Sequence, residues 1–166
     1  MALVTVALGA NLGEPLATLR KVVSEIEASP DFSEVKVSPF YDTSPVESSG
    51  PDYVNAVLTA KTDLAPKEVF HRLQKLEIRY GRVRPAGVVN APRTLDLDVL
   101  LYDDLQSDDP ELILPHPRMT GRLFVLVPLA DLAGEDFLLE GRTLAEWIAS
   151  VRRKDPSQSI AFLARS

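Results

Sequence analysis

A chain of 166 residues that is 45% hydrophobic and 25% charged can bury a full core, and suits one domain over residues 1–166. Its net charge of -6 argues against a general nucleic-acid binder, which needs a basic face, and the absence of cysteine excludes disulfides, thiolate metal sites and a cysteine nucleophile. With no apolar run of about eighteen residues and no basic leader after Met1, the expectation is a cytoplasmic protein without membrane spans.

Leu3 to Leu8 is an apolar run with Val4 and Val6, expected as a buried strand. Gly9 to Gly13 turns the chain into a helix that Pro15 opens and Ser29-Pro30 ends, with Leu16, Leu19, Val22, Val23 and Ile26 on its apolar face. Val35 and Val37 alternate with polar residues in a half-buried strand running towards Phe40-Tyr41. Thr43 to Asp52 is a loop rich in Ser, Pro and Gly. The next strand, Tyr53 to Lys61, puts Tyr53, Asn55, Val57 and Thr59 on one face and Val54, Ala56, Leu58 and Ala60 on the other. Pro66 opens a second helix with a stripe of Val69, Phe70, Leu73, Leu76 and Tyr80, and Gly81 stops it.

Gly81 to Pro92 forms a second loop, and Leu95 to Leu101 a strand. Leu95, Leu97, Val99 and Leu101 are expected on one face, Asp96 and Asp98 on the other. Beyond lie an acidic segment, Pro115-His116-Pro117, and an apolar stretch from Phe124 to Leu132 interrupted by Pro128. A final helix capped by Thr143 and Glu146 and an edge strand from Ser159 to Leu163 complete the chain. The order predicts an α+β fold with a largely antiparallel sheet packed by helices.

Two carboxylates in the middle of an apolar strand carry the chemistry. An unpaired buried ion costs several kcal/mol, and a second like charge beside it raises the cost. A divalent cation relieves both; a solvated polar face on an edge strand is the plain alternative. Without neighbouring His or Cys the donor set favours Mg²⁺ over Zn²⁺, and two carboxylates can bracket two ions. Arg82, Arg84 and Arg93 approach this strand with no acidic residue among them and can donate to phosphate oxygens, with Arg122 and His116 as further contacts. Tyr53 and, two residues on, Asn55 offer a stacking plane and an amide suited to a flat heterocycle, though a structural Tyr and Asn would look the same. The chain has neither a P-loop nor a Gly-x-Ser-x-Gly elbow.

Arg82-Val83-Arg84, Pro92-Arg93-Thr94-Leu95-Asp96-Leu97-Asp98 and Pro115-His116-Pro117, joined by Gly9-Ala10-Asn11-Leu12-Gly13, Tyr41-Asp42-Thr43-Ser44-Pro45 and Pro51-Asp52-Tyr53-Val54-Asn55, resemble the 6-hydroxymethyl-7,8-dihydropterin pyrophosphokinases of folate biosynthesis. The resemblance covers nearly the whole chain. It implies a three-layer α+β sandwich, mainly antiparallel with helices on both faces, and transfer of pyrophosphate from ATP to the pterin hydroxymethyl group with release of AMP. It also implies two Mg²⁺ ions on Asp96 and Asp98, with Arg82 and Arg93 beside them in catalysis. Thr43, Ser44 and Val46 would line the pterin site, Asn55 would read the pterin edge, and Tyr53 with Phe124 would sandwich the ring. Gln74, Glu77, Arg82, Arg84, Arg93, His116 and Arg122 would fall on the nucleotide side. The partners would be two small molecules, ATP and a dihydropterin, bound by a monomer without nucleic acid or membrane. Where many members have Arg and Trp before the Pro-Arg-Thr run, this chain has Gly87-Val88-Val89-Asn90-Ala91. The rivals are another two-metal phosphate enzyme, such as a phosphohydrolase or nucleotidyltransferase, and a nucleic-acid module built on sheet aromatics.

Overall fold

The apolar N-terminal run becomes β1 (Ala2–Ala10), an inner strand of the main sheet. The computed structural model describes residues 1–44, 52–80 and 95–165. After β1 come α1 (Pro15–Ala28), β2 (Phe32–Val37), β3 (Phe40–Thr43), β4 (Tyr53–Thr62), α2 (Pro66–Tyr80) and β5 (Asp96–Tyr102). A hairpin of β6 (Ser107–Asp109) and β7 (Leu112–Leu114) leads to a 3-10 turn, Met119–Gly121, and then to α3 (Leu123–Ala133). A short hairpin of β8 (Leu138–Leu139) and β9 (Arg142–Thr143), α4 (Leu144–Lys154) and β10 (Ile160–Ala164) follow.

The main sheet runs β10-β3-β4-β1-β5, with β2 also paired to β4, and every pairing is antiparallel. Strand alternation gives it two apolar faces. Val4, Val6, Leu8, Ala56, Leu58, Leu97 and Val99 pack with Leu19, Val22, Val69 and Leu73 of α1 and α2. Ala7, Val57 and Leu100 pack with Leu123, Leu126, Leu129, Leu144 and Val151 of α3 and α4. The result is the expected three-layer sandwich with helices on both faces. No helix among the described residues is long and apolar enough to cross a membrane.

Three features depart from the sequence expectation. First, Leu101 does not share the face of Leu95, Leu97 and Val99. A bulge shifts the β1–β5 register between Thr5 and Val6, so Thr5 opposes Leu101 while Val6 opposes Val99. The extra residue, Leu100, reverses the alternation. Leu101 therefore packs on the α3/α4 side and Tyr102 on the α1/α2 side.

Second, the strand through Val35 and Val37 does not run on into Phe40-Tyr41. It breaks at Ser38-Pro39 into β2 and β3, because Pro39 has no amide to donate to the ladder. Ser38 bridges the gap: its N–H donates to the Val57 carbonyl at 2.9 Å and its Oγ accepts from Val57 N–H at 2.9 Å. Third, the stretch interrupted by Pro128 is one helix, α3. An interior proline costs about 3 kcal/mol, and burying Leu123, Val125, Leu126 and Leu129 returns about 1.5–3 kcal/mol each, so burial wins. At the start of α4 the capping box forms: Thr143 Oγ1 accepts from Glu146 N–H at 3.1 Å, and Glu146 Oε1 accepts from Thr143 N–H at 3.2 Å.

Candidate active site

On β5, Asp96 and Asp98 are half-buried while Leu95, Leu97 and Val99 are buried beneath them. Both carboxylates face the α3/α4 side. The register sets them against the smallest residues of β1, Asp96 opposite Gly9 and Asp98 opposite Ala7. Gly9 in turn opposes Asn55 of β4. One row across three strands thus reads Asn55, Gly9, Asp96, with the outer pair about 10 Å apart at ordinary strand spacing. The small middle residues leave room above the sheet. A cavity of about 680 Å³ occupies it, lined by Asp96, Asp98, Gly9, Asn55, Tyr53, Thr43 and Ser44 from the sheet side.

Asn55 is only 5% exposed, so its amide needs internal partners. Thr43 Oγ1 donates to its Oδ1 at 2.5 Å, and its Nδ2 points to the Leu8 carbonyl at 3.5 Å. A Cβ on Gly9 would sit 2.7 Å from that Nδ2, closer than side chains pack, so glycine is required for the amide to lie where it does. Tyr53 is half-buried beside it, and burial, then the charge of Asp96, raises its phenol above the usual value.

The opposite wall comes from the turn before α3 and from its first residues: Arg118, Thr120, Gly121, Arg122 and Phe124. The Arg122 guanidinium lies 5.3 Å from the Phe124 ring centroid, a cation–π contact that orders both side chains. His116, next to the lining residue Pro117 but not itself in the lining, has its amide donating to the Leu100 carbonyl at 2.9 Å and its Nδ1 accepting from Arg118 N–H at 3.2 Å. Burial pushes its imidazole below the usual value, and the Asp98 carboxylate opposes that shift. Anionic floor and cationic wall face one another across the cavity, an arrangement suited to a polyphosphate carried with a cation.

Asp96 and Asp98 are the residues that could hold a metal. Among the described residues no group of three or more His, Cys, Asp or Glu could do so. An oxygen-only set of two carboxylates fits Mg²⁺, which keeps several waters and takes substrate phosphate oxygens.

Of the residues expected at the site, Thr43, Ser44, Tyr53, Asn55, Asp96, Asp98, Arg122 and Phe124 meet in one cavity. Val46, Arg82, Arg84 and Arg93 lie outside the described residues. Gln74 is half-buried on α2, away from the cavity lining. Glu77, on the same helix, is 7% exposed and its Oε2 accepts from Leu97 N–H at 3.0 Å. It thereby braces the residue between the two aspartates. Ala7, Gly9, Arg118, Thr120, Asp155 and Gln158 also line the cavity. Small residues ending an apolar strand hint at the first two, but no local motif marks Asp155 or Gln158.

Residues 5–134 match the family model for 7,8-dihydro-6-hydroxymethylpterin-pyrophosphokinase, HPPK. The 2-amino-4-hydroxy-6-hydroxymethyldihydropteridine pyrophosphokinase of Pseudomonas aeruginosa is 43% identical over 148 residues, covering 89% of this chain and 90% of that protein. The enzyme of the same name from Bacillus subtilis is 39% identical over 128 residues, covering 76% and 75%. A crystal structure of Plasmodium falciparum HPPK-DHPS with SDX-DHP superposes with a TM-score of 0.71 at 13% identity, a likeness of fold alone. It covers 93% of this chain, which spans 46% of that longer protein. With the match over residues 5–134 and 43% identity across most of both chains, the protein belongs to the 7,8-dihydro-6-hydroxymethylpterin-pyrophosphokinase family.

Proposed function

We propose that this protein transfers the β,γ-pyrophosphoryl group of ATP to the hydroxymethyl oxygen of 6-hydroxymethyl-7,8-dihydropterin, releasing AMP, as a step of folate biosynthesis. Family membership supports the reaction class. The observation that carries the reading at residue level is one cavity that Asn55, Tyr53 and Phe124 line together with Asp96 and Asp98.

The pterin ring stacks between Tyr53 and Phe124, and the fixed amide of Asn55 reads its edge beside Thr43 and Ser44, with Val46 completing that side. The hydroxymethyl oxygen then attacks the β-phosphorus in line. A bond forms between that oxygen and the β-phosphorus, the bond from the β-phosphorus to the α,β-bridging oxygen breaks, and AMP leaves with that oxygen. The hydroxyl proton passes to solvent. Asp96 and Asp98 would hold two Mg²⁺ ions, which when bound neutralise triphosphate charge. Arg82, Arg84, Arg93 and Arg122 donate to phosphate oxygens, and Arg82 and Arg93 stabilise the charge that develops on transfer. Gln74, Glu77 and His116 belong to the nucleotide side, Glu77 through the strand it braces. Positioning and electrostatics supply most of the acceleration. The protein acts on small molecules as a single-domain cytoplasmic monomer, apart from nucleic acid and membrane.

Calorimetric titration with the pterin, with and without Mg²⁺ and a non-hydrolysable ATP analogue, tests this, together with an assay for AMP. Pterin should bind, and AMP should appear only when pterin is present. Failure to bind pterin under either condition, or ATP breakdown that needs no acceptor, would defeat it.

A further inference from the structure

The first turn of α3 is completed from outside its own segment. Its N-cap residue, Arg122, makes no side-chain cap hydrogen bond, although the first amides of a helix have no partner within it. Gln158 supplies one from 35 residues further along the chain: its Oε1 accepts from Leu123 N–H at 2.9 Å. Its Nε2 donates to the Gly121 carbonyl at 2.9 Å. A single amide thus grips the backbone on both sides of Arg122.

Nε2 also donates to Asp155 Oδ2 at 3.2 Å. Asp155 in turn closes α4, its N–H donating to the Val151 carbonyl at 2.8 Å. The next residue, Ser159, donates its N–H to Ser44 Oγ at 3.1 Å, and its carbonyl accepts from Ser44 N–H at 3.3 Å. The connector between α4 and β10 therefore ties together both walls of the cavity, the start of α3 and the end of β3. It lies beyond residues 5–134 that match the family model.

We propose that Gln158 is a positioning residue for the transfer reaction: its amide holds the backbone of residues 121–123 so that Arg122 and Phe124 are presented to the cavity opposite Tyr53. This rests on the reading that the cavity takes a dihydropterin. Without the amide, Leu123 N–H and the Gly121 carbonyl turn to water and the turn loosens, while buried Leu123, Leu126 and Leu129 still anchor α3. The fold persists and the stacking wall loses its setting.

Gln158→Ala and Gln158→Met, the second keeping the length of the side chain, provide the test. Each is titrated with 6-hydroxymethyl-7,8-dihydropterin in the presence of Mg²⁺ and a non-hydrolysable ATP analogue, and KM is measured for both substrates. Loss of the paired hydrogen bonds should weaken pterin binding and raise its KM about tenfold in both variants, with a smaller rise in KM for ATP through Arg122 and an unchanged circular dichroism spectrum. Wild-type pterin affinity in either folded variant overturns the proposal, and so does an equal rise in both KM values with a lowered melting temperature. If the parent binds pterin and both variants match it, this inference alone fails; if the parent binds none, the functional reading fails and this inference with it.

Discussion

Gly9→Ala isolates the geometry of the Asn55 amide. The new Cβ would lie 2.7 Å from Asn55 Nδ2, about 0.8 Å inside ordinary contact. The Asn55 side chain would have to retreat, but it is 5% exposed and held at Oδ1 by Thr43 at 2.5 Å. Displacing it leaves a buried polar group short of a partner, at about 1–3 kcal/mol, and crowds a packed sheet, at about 1–3 kcal/mol. Replacing glycine recovers about 0.4–1 kcal/mol through the unfolded chain. The net loss is about 3 kcal/mol, which for a chain of this size lowers the melting temperature by about 6–12 °C. Because the same amide is assigned to the pterin edge, calorimetry should show pterin affinity falling about tenfold, one hydrogen bond's worth. Thermal unfolding by circular dichroism measures the first effect. A Gly9→Ala protein that melts within about 1 °C of the parent and binds pterin equally well would refute the reasoning.

Asp98→Ala should abolish AMP formation, a fall of at least about a thousandfold, while pterin binding stays within a few-fold; unchanged turnover in the folded variant would sink the metal assignment. Glu77→Ala should cost about 2 kcal/mol in denaturant unfolding by stranding the Leu97 amide, and Glu77→Gln, which keeps an acceptor oxygen, should recover most of it. Equal loss in the two variants would show that the hydrogen bond is not the cause. The Tyr41 phenol, donating to Asp131, is pushed up to about 12 by burial first and then by that hydrogen bond and charge. Its folded value lies above its unfolded value of 10.0, so its stabilisation is full below pH 10 and lost as pH rises through about 12. Tyr41→Phe should remove a tyrosine step near pH 12 from the spectrophotometric titration and flatten the alkaline loss of stability; persistence of both would contradict it. Thr143→Ala should lower stability by about 1 kcal/mol through loss of the α4 cap, with AMP formation unchanged.

Much of the sandwich was legible without coordinates because its signals are local. The stripe Leu19, Val22, Val23 and Ile26 shows α1 by its own spacing, and Thr143 with Glu146 shows the start of α4. α3 was not legible, since Pro128 signals a break and only burial in the second core outweighs it. The face of Leu101 is not legible for a related reason: the bulge depends on how β5 registers on β1, not on β5 itself.

That Asp96 and Asp98 share a face above buried leucines follows from the order of residues alone, because side chains alternate along any extended strand. The same order of residues sets their chemistry, an oxygen-only donor pair in a chain without cysteine. What that face meets is set by the packing of the whole chain: Gly9 and Ala7 beneath the cavity, Asn55 locked by Thr43, and a wall at Arg122 and Phe124 held by Gln158. Those are contacts between segments distant in the chain, and no local periodicity records which distant residue will satisfy a buried amide.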